Sequence, residues 1–299
     1  MSKKVLQIQS ILYHNDKCAI EKAIRHIDNA LGVYKKEEGE ISCVLYYGDA
    51  SKTPIFSNDD IMKINRKCCN IEKVDSIFFD ENTGTAKGHN RLAGSSKSEY
   101  IMVMNPDVLV NPRFFLEMFA GLKDETVGMV EARQTPIEHP KEYDKKTFET
   151  SWSTTACVIF RRDIFEKING FDEQSFFMYC DDVDFSWRIR REGYKLIYRP
   201  AAVVYHAKRL SAGGGWKPTN AEIYYSAEAA LLMAYKWSQH DLLKKLIFDF
   251  RHSKEKVYND AAREFERRKK TNNLPKPLDS EHKIATFIDG GYAKHRFNM

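Results

Sequence analysis

The sequence predicts an α/β fold with a mostly parallel central sheet, followed by a helical C-terminal region. In the first hundred residues, short apolar strand-like segments alternate with segments whose apolar residues recur at helical spacing. Beyond residue 210, a glycine run precedes a long charged stretch with helical periodicity. The 299 residues, 42% of them hydrophobic, suffice for one large domain with an appendage or for two modest domains. We expect an α/β domain at 1–210 and a mainly helical region at 211–299.

The first elements of the α/β domain follow one another in β-α-β order. Strands are predicted at 5–12, 41–47, 74–79 and 100–104, and helices at 19–31 and 86–97. This alternation favours a largely parallel sheet.

A polar segment follows each predicted strand, at 13–16, 48–51, 80–84 and 105–107. In open α/β sheets, ligands bind beyond the carboxyl ends of the strands, so these segments are the first candidates for a functional site. Because Asn, Asp, Gly and Pro also suit ordinary turns, any one segment alone is explained equally well as a turn.

The charged C-terminal stretch has an amphipathic pattern. Its apolar residues recur at three- and four-residue steps, with Lys and Arg on the other face, and are Leu243, Leu246, Ile247, Phe250, Val257, Ala261 and Phe265. The pattern predicts an amphipathic helix that docks on the α/β domain, with a membrane surface as the alternative. The basic residues between 263 and 270 raise the possibility of nucleic-acid binding, but a solvated helix face explains them more simply.

Composition and local sequence argue against several classes of protein. A net charge of +5 is mild and does not indicate a general nucleic-acid binder. Residues 1–12 contain glutamines and lack a small-residue cleavage site, so they predict a strand and not a secretory signal. No apolar run approaches the roughly 20 residues that a spanning helix requires. The six cysteines show no CxxC spacing, which predicts reduced thiols, no structural zinc site and a cytoplasmic protein with peripheral membrane contact at most.

Three acidic residues, Asp181, Asp182 and Asp184, are crowded beside the aromatic-rich residues 176–179. Neighbouring carboxylates repel one another and raise one another's pKa unless a cation or solvent relieves them, which indicates a functional site. The alternative is an acidic first turn of a helix, where carboxylates interact favourably with the positive end of the helix dipole.

In their order and spacing, five motifs of the chain resemble those of the family 2 glycosyltransferases of the GT-A fold, particularly bacterial rhamnosyltransferase-like members. The motifs are Asn-Thr-Gly-Thr-Ala-Lys-Gly-His-Asn at 82–90, Asn-Pro-Asp at 105–107, Gly-Phe-Asp-Glu at 170–173, Asp-Asp-Val-Asp at 181–184 and Val-Tyr-His at 204–206. The similarity spans roughly residues 5–210.

The resemblance implies an inverting transferase that moves a sugar from a nucleotide-sugar, dTDP-rhamnose or a UDP-hexose, to an acceptor hydroxyl. Asp107 and His206 would be the protein ligands of Mn²⁺ or Mg²⁺, which stabilises the charge on the diphosphate leaving group. Asp182 would be the general base, with Asp181 in place of the family's usual Glu beside it. Arg188 would orient this acid pair or reach the diphosphate, or it forms a surface salt bridge.

The same resemblance assigns residues to the nucleotide-sugar. Tyr13 and Asp49 would address the nucleotide, Gly84 and Gly88 would let the chain approach it closely, and Asn90 would hydrogen-bond there, with Asn105 beside Asp107. Apart from the resemblance, the glycines at 213–215 follow His206 closely enough to predict a mobile lid, from which Trp216 would face the sugar.

Other functions remain open at this point. A nucleotidyltransferase of similar architecture also needs a metal and acids, although residues 9–16 do not resemble its phosphate loop. A non-catalytic nucleotide-sugar-binding scaffold of the same fold is the second alternative. Expected partners are the nucleotide-sugar and a saccharide or lipid-linked acceptor in polysaccharide synthesis at the inner membrane face, with homo-oligomerisation undecided.

Overall fold

A central eight-stranded sheet organises the protein in the computed structural model, which describes residues 3–138, 142–206, 218–288 and 291. The strands are β1 (Lys4–Leu12), β2 (Ile41–Asp49), β3 (Lys73–Phe78), β4 (Tyr100–Met104), β5 (Val108–Val110), β6 (Val127–Thr135), β7 (Cys157–Arg161) and β8 (Lys195–His206). The helices are α1 (Lys17–Glu37), α2 (Asn58–Lys67), α3 (Gly84–Ala93), α4 (Phe114–Gly121), α5 (Arg162–Lys167), α6 (Asp181–Arg191), α7 (Asn220–Lys236), α8 (His240–Arg251) and α9 (Lys256–Lys270). The strands and helices predicted in the first hundred residues are all present.

The strand order is β3-β2-β1-β4-β7-β6-β8-β5. Strands β1, β2, β3 and β4 pair in parallel, and β6 pairs in parallel with β8, whereas β7 and β5 are antiparallel to their neighbours. The carboxyl ends of β1, β4, β6 and β8 therefore lie at one edge of the sheet. The order reverses between β1 and β4, and such a switch point is where ligands bind in open α/β sheets.

Alternating side chains of the central strands build a core on each face of the sheet. In β4, Tyr100, Met102 and Met104 pack into the core that includes α1 and α4. Ile101 and Val103 face the other way, into the core that includes α3, α5 and α6. Helices cover both faces, as the predicted α/β architecture requires.

The C-terminal helices pack against α6. Trp187 of α6 shares a hydrophobic cluster with Trp237 and with Phe265 of α9, and the apolar residues of α8 pack against this cluster. The docked arrangement is therefore confirmed, but the amphipathic pattern belongs to two helices, because α8 ends at Arg251 and α9 begins at Lys256. The predicted boundary at 210/211 lies outside the described residues. Among the described helices, none has the length and apolar composition needed to cross a membrane.

The basic stretch of α9 is largely engaged with acids. Arg268 contacts Glu228 of α7 at 2.9 Å and donates to the carbonyl oxygen of Gln174. Arg263 pairs with Asp260 and Arg267 with Glu264 on the same helix. Arg268 thus connects α9 to α7 and to the loop before α6. The sequence did not predict this contact, because Arg268 lies in a run of charged residues.

Candidate active site

The loops at the switch point bring the ends of β1 and β2 together. The amide of Ala50 donates to the carbonyl oxygen of Leu12, and the amide of His14 donates to Ser51 Oγ. Tyr13 projects from this place with about half of its surface exposed, and its ring packs edge-on against His14. This leaves an aromatic side chain accessible at the carboxyl end of β1.

The short strand β5 places Asp107 beside His206. Val108, the first residue of β5, pairs with His206, the last residue of β8, so the preceding residue lies next to the imidazole. Asp107 Oδ1 is 3.6 Å from His206 Nε2, and Asn105 Nδ2 is 3.3 Å from the same nitrogen. Residues of two motifs, Asn-Pro-Asp at 105–107 and Val-Tyr-His at 204–206, are therefore brought together.

Gln134, which the sequence analysis did not identify, contacts the other ring nitrogen of His206. Its Oε1 lies 2.8 Å from His206 Nδ1, and the side chain is almost completely buried. Strand β6 runs parallel to β8 with Gln134 paired to Val204, which places the amide within reach of the imidazole two residues further on. The sequence signal was weak, because a polar residue near the end of a strand is common.

Asp107 and His206 are side chains of the kinds that bind divalent cations in proteins. A carboxylate oxygen together with an imidazole nitrogen suits Mn²⁺, and the carboxylate suits Mg²⁺. Within the described ranges, no group of three or more His, Cys, Asp or Glu side chains is arranged to hold a metal ion. The donor set fits a divalent cation whose remaining ligands are brought by a bound molecule, as phosphate oxygens do in nucleotide sites.

The acid pair lies at the start of α6, after a constrained turn. Tyr179 and Cys180 both have left-handed backbone conformations, with φ of 70° and 56°. Such conformations cost of order 1–3 kcal/mol each in residues other than glycine, so the surrounding packing must hold them. Cys180 is buried in the cluster around Trp187, which anchors the turn. The turn delivers Asp181 and Asp182 to the helix N-terminus, where the dipole favours negative charge.

Thr85 connects the acid pair to the carboxyl edge of the sheet. Its hydroxyl donates to Asp181 Oδ2 at 2.7 Å, and its backbone N–H donates to the carbonyl oxygen of Phe177 at 3.0 Å. Thr85 lies in the first turn of α3, which follows β3. Gly84 has a φ of +66°, and a Cβ there would collide with the Phe177 carbonyl. In this structure Gly84 therefore permits a close approach between α3 and the loop before α6.

Asp181 has an unusual acid strength. Burial, and secondarily repulsion by Asp182, raise the pKa of Asp181 to about 7, although the Thr85 hydrogen bond opposes the change. Asp182 is more exposed than Asp181, and its Oδ1 accepts the amide of Val183. The two carboxyl groups therefore differ: one is held protonated up to near-neutral pH, and the other is the more accessible.

A network of buried charges fastens α6 to α7. Asp184 is completely buried and accepts from Arg188 Nε at 2.7 Å, from Lys236 Nζ at 2.6 Å and from Trp237 Nε1 at 3.1 Å. Lys236 also lies 2.7 Å from Asp172 Oδ2. One lysine from the C-terminal region thereby joins the Gly-Phe-Asp-Glu motif to the Asp-Asp-Val-Asp motif.

Comparisons with known proteins identify relatives of the chain, although no family model matches it. An N-acetylglucosaminyl-diphospho-decaprenol L-rhamnosyltransferase of Mycobacterium tuberculosis is 34% identical over 88 residues, which are 29% of this chain and 25% of that protein. Rhamnosyltransferase WbbL of Escherichia coli is 25% identical over 191 residues, covering 52% of this chain and 72% of WbbL. The chain thus spans only a quarter of the mycobacterial relative.

The fold also matches a solved structure. GalNAc-T7 with UDP, GalNAc and Mn²⁺ superposes with a TM-score of 0.63 at 12% identity, over 94% of this chain and 57% of that one. The chain is a relative of the family 2 glycosyltransferases. Its GT-A fold is as the motif resemblance predicted.

Two residues that the family 2 resemblance assigned to the nucleotide-sugar are engaged within the protein. Asp49 is completely buried and accepts the amides of Ser51 and Ile55, so its carboxylate shapes the loop after β2. At Gly88, a Cβ would lie 2.7 Å from Ile11 Cδ1, so the glycine lets α3 pack closely on β1. Asp49 thus stabilises the loop after β2, and Gly88 permits the close packing of α3 on β1.

Asn90 and Arg188 hold the Gly-Phe-Asp-Glu segment of the family 2 motif. Asn90 accepts the amide of Phe171 and donates to its carbonyl oxygen and to Glu173. Arg188 donates to the carbonyl oxygens of Ile168 and Gly170 as well as to Asp184. Arg188 thus forms an ion pair with the completely buried Asp184, and only 11% of its own side chain is exposed, so the pair is buried and is not the surface salt bridge of the alternative. Trp216, assigned to the sugar, lies outside the described residues.

Proposed function

We propose that the protein is a metal-dependent inverting glycosyltransferase that moves a sugar from a nucleotide-sugar to an acceptor hydroxyl. The observation that carries the proposal is the pairing of Asp107 with His206 at the same sheet edge to which Thr85 ties the acid pair. Asp107 lies in the segment that directly follows β4, one of the two strands at the switch point, and Thr85 lies in α3, which follows β3. The relationship to family 2 glycosyltransferases supports assigning both groups to sugar transfer.

Asp107 and His206 would hold Mn²⁺ or Mg²⁺ together with the diphosphate of the donor. When bound, the cation supplies electrostatic stabilisation of the negative charge that develops on the leaving group. GalNAc-T7, which shares the fold, was solved with Mn²⁺ and UDP, in keeping with this assignment. Tyr13 and Asn105 border the place where the nucleotide would lie.

Asp182 is the proposed general base because it is the more accessible carboxyl group of the pair. It takes the proton of the acceptor hydroxyl while the acceptor oxygen forms a bond to the anomeric carbon. The bond from that carbon to the diphosphate oxygen breaks, and the nucleoside diphosphate leaves with the electron pair. A single displacement inverts the anomeric carbon. Because burial raises the pKa of Asp181 to about 7, this carboxyl group is only partly ionised at neutral pH and repels the charge of the base less than a full carboxylate would.

The relatives suggest donor and acceptor classes. Two relatives are named as rhamnosyltransferases, which favours dTDP-rhamnose, with a UDP-hexose as the alternative donor. The mycobacterial name includes a diphospho-decaprenol, which favours a lipid-linked saccharide acceptor. Such an acceptor implies a protein that works at the inner face of the cell membrane in polysaccharide or related glycan synthesis.

The test follows nucleoside diphosphate release from a panel of nucleotide-sugars, with Mn²⁺ and with or without lipid-linked or saccharide acceptors. Wild type, Asp182→Asn and the exposed control Asp59→Asn would be compared. We expect acceptor- and Mn²⁺-dependent release from one donor, lost in Asp182→Asn and kept in the control. Release of inorganic diphosphate instead would indicate a nucleotidyltransferase. Donor binding without turnover would indicate a scaffold.

A further inference from the structure

We infer that Gln134 is a positioning residue that fixes His206 in the tautomer with its proton on Nδ1 and its Nε2 lone pair facing Asp107. The inference deepens the proposed function, because its consequence for cation binding rests on the metal role given to His206. Gln134 itself need not touch the cation or the donor.

The hydrogen-bond geometry decides the tautomer. Gln134 Oε1 lies 2.8 Å from His206 Nδ1, and an amide oxygen can only accept, so the proton belongs on Nδ1. On the other side of the ring, Asn105 Nδ2 lies 3.3 Å from Nε2, and an amide nitrogen can only donate. The two amides therefore favour the same tautomer from opposite sides of the imidazole, whereas the Asp107 carboxylate, 3.6 Å from Nε2, favours a proton on that nitrogen.

Gln134 is itself held in place. Its side chain is 3% exposed, so the amide cannot exchange its bond to the imidazole for water without local rearrangement. Its backbone N–H donates to Glu138 Oε1 at 2.9 Å, and Glu138 Oε2 accepts the hydroxyl of Tyr198 at 2.6 Å. The end of β6 is thus fixed relative to β8, which carries both Tyr198 and His206.

A ring held in this way presents one nitrogen as a ligand without a tautomer change on binding. Outer partners of ligating histidines typically change metal affinity by about 10- to 100-fold when they are removed. Replacing Gln134 by methionine keeps the approximate length and burial of the side chain but removes the acceptor. The Nδ1 proton then lacks this partner, and the Nε2–H tautomer becomes accessible.

The test combines a tautomer measurement with a cation-binding measurement. Long-range ¹H–¹⁵N correlation on protein labelled at histidine reports which ring nitrogen carries the proton, and the His206 signal is assigned by its loss in His206→Gln. Mn²⁺ binding in the presence of UDP or dTDP is followed by electron paramagnetic resonance. Gln134→Met is compared with wild type, with Gln134→Glu, which keeps an acceptor, and with the exposed control Gln174→Met.

We expect the Nδ1–H tautomer in wild type, Gln134→Glu and the control, and a shift towards Nε2–H in Gln134→Met with roughly 10- to 100-fold weaker Mn²⁺ binding. An Nε2–H tautomer in the wild-type protein would overturn the inference even if no variant folded. Unchanged tautomer and Mn²⁺ affinity in Gln134→Met would overturn it as well. The expected tautomers together with no Mn²⁺ binding by wild type would support the positioning of His206 while overturning the metal role in the proposed function.

Discussion

Replacement of Asp181 by asparagine should change how the stability of the protein depends on pH. Burial and repulsion by Asp182 raise the pKa of Asp181 from its ordinary value of 3.8 to about 7 in the folded protein. Between these values the folded protein keeps a proton that the unfolded chain has released. The resulting stabilisation is fully present below about pH 4 and is lost as the pH rises through about 7. The difference between the two pKa values corresponds to at most about 4 kcal/mol.

The assay is urea unfolding of wild type and Asp181→Asn at intervals from pH 4 to pH 8. Subtracting the two free energies of unfolding cancels the titrating groups that do not interact with Asp181. Asparagine carries no charge at any of these pH values, so the variant should gain on wild type by up to about 4 kcal/mol across the range. Asp182→Asn should reduce the pH effect without abolishing it, because burial is the larger cause. Parallel curves for wild type and Asp181→Asn would refute the reasoning.

Three further predictions concern the supports of the acid pair. Lys236→Met should lower the free energy of unfolding by about 3 kcal/mol, because it leaves one buried and one partly buried carboxylate without their lysine. Urea unfolding measures this loss, and the exposed control Lys244→Met should show little change. Thr85→Val should raise the pKa of the buried aspartate further, because the hydroxyl favours the charged form, and in the same assay the loss of stability should therefore continue to higher pH. Gly84→Ala should lower the melting temperature more than Gly39→Ala, because both positions have positive φ but only at Gly84 would the new Cβ meet a carbonyl oxygen; equal losses would contradict this.

The sequence predicted the sheet well because its evidence is local. The strand that ends at Leu12 and the strand that ends at Met104 are apolar runs with polar tails, and such patterns are set by burial on both faces. The motif resemblance then placed Asn105, Asp107 and His206 in one site, and the structure brings these three together. Only the resemblance predicted that His206 would meet Asn105, which lies 101 positions away in the chain.

The supporting residues could not be predicted because their contacts join distant parts of the chain. Thr85 bonds to a residue 96 positions away, and Gln134 bonds to one 72 positions away. A threonine in the first turn of a helix and a glutamine at a strand end are ordinary choices, so neither attracts attention. Their roles follow from the neighbours that the fold supplies.

The single amphipathic helix expected at the C-terminus shows that helix ends are harder to predict than helix faces. Phe250 and Val257 are seven residues apart, so the apolar face keeps its phase across the break between α8 and α9. The break contains neither Gly nor Pro, the usual signals of a helix end. Periodicity identified the buried face correctly but could not locate the turn.

The acid pair is held from two sides that belong to different parts of the chain. On one side, Thr85 of α3 fixes Asp181 to the carboxyl edge of the sheet. On the other, Lys236 and Trp237 bind Asp184, which lies in the same first turn of α6 as the acid pair. Because the three acids share this turn, a displacement of α7 would move the carboxyl groups of the pair relative to Thr85. The C-terminal helices are therefore part of the scaffold that holds the acid pair.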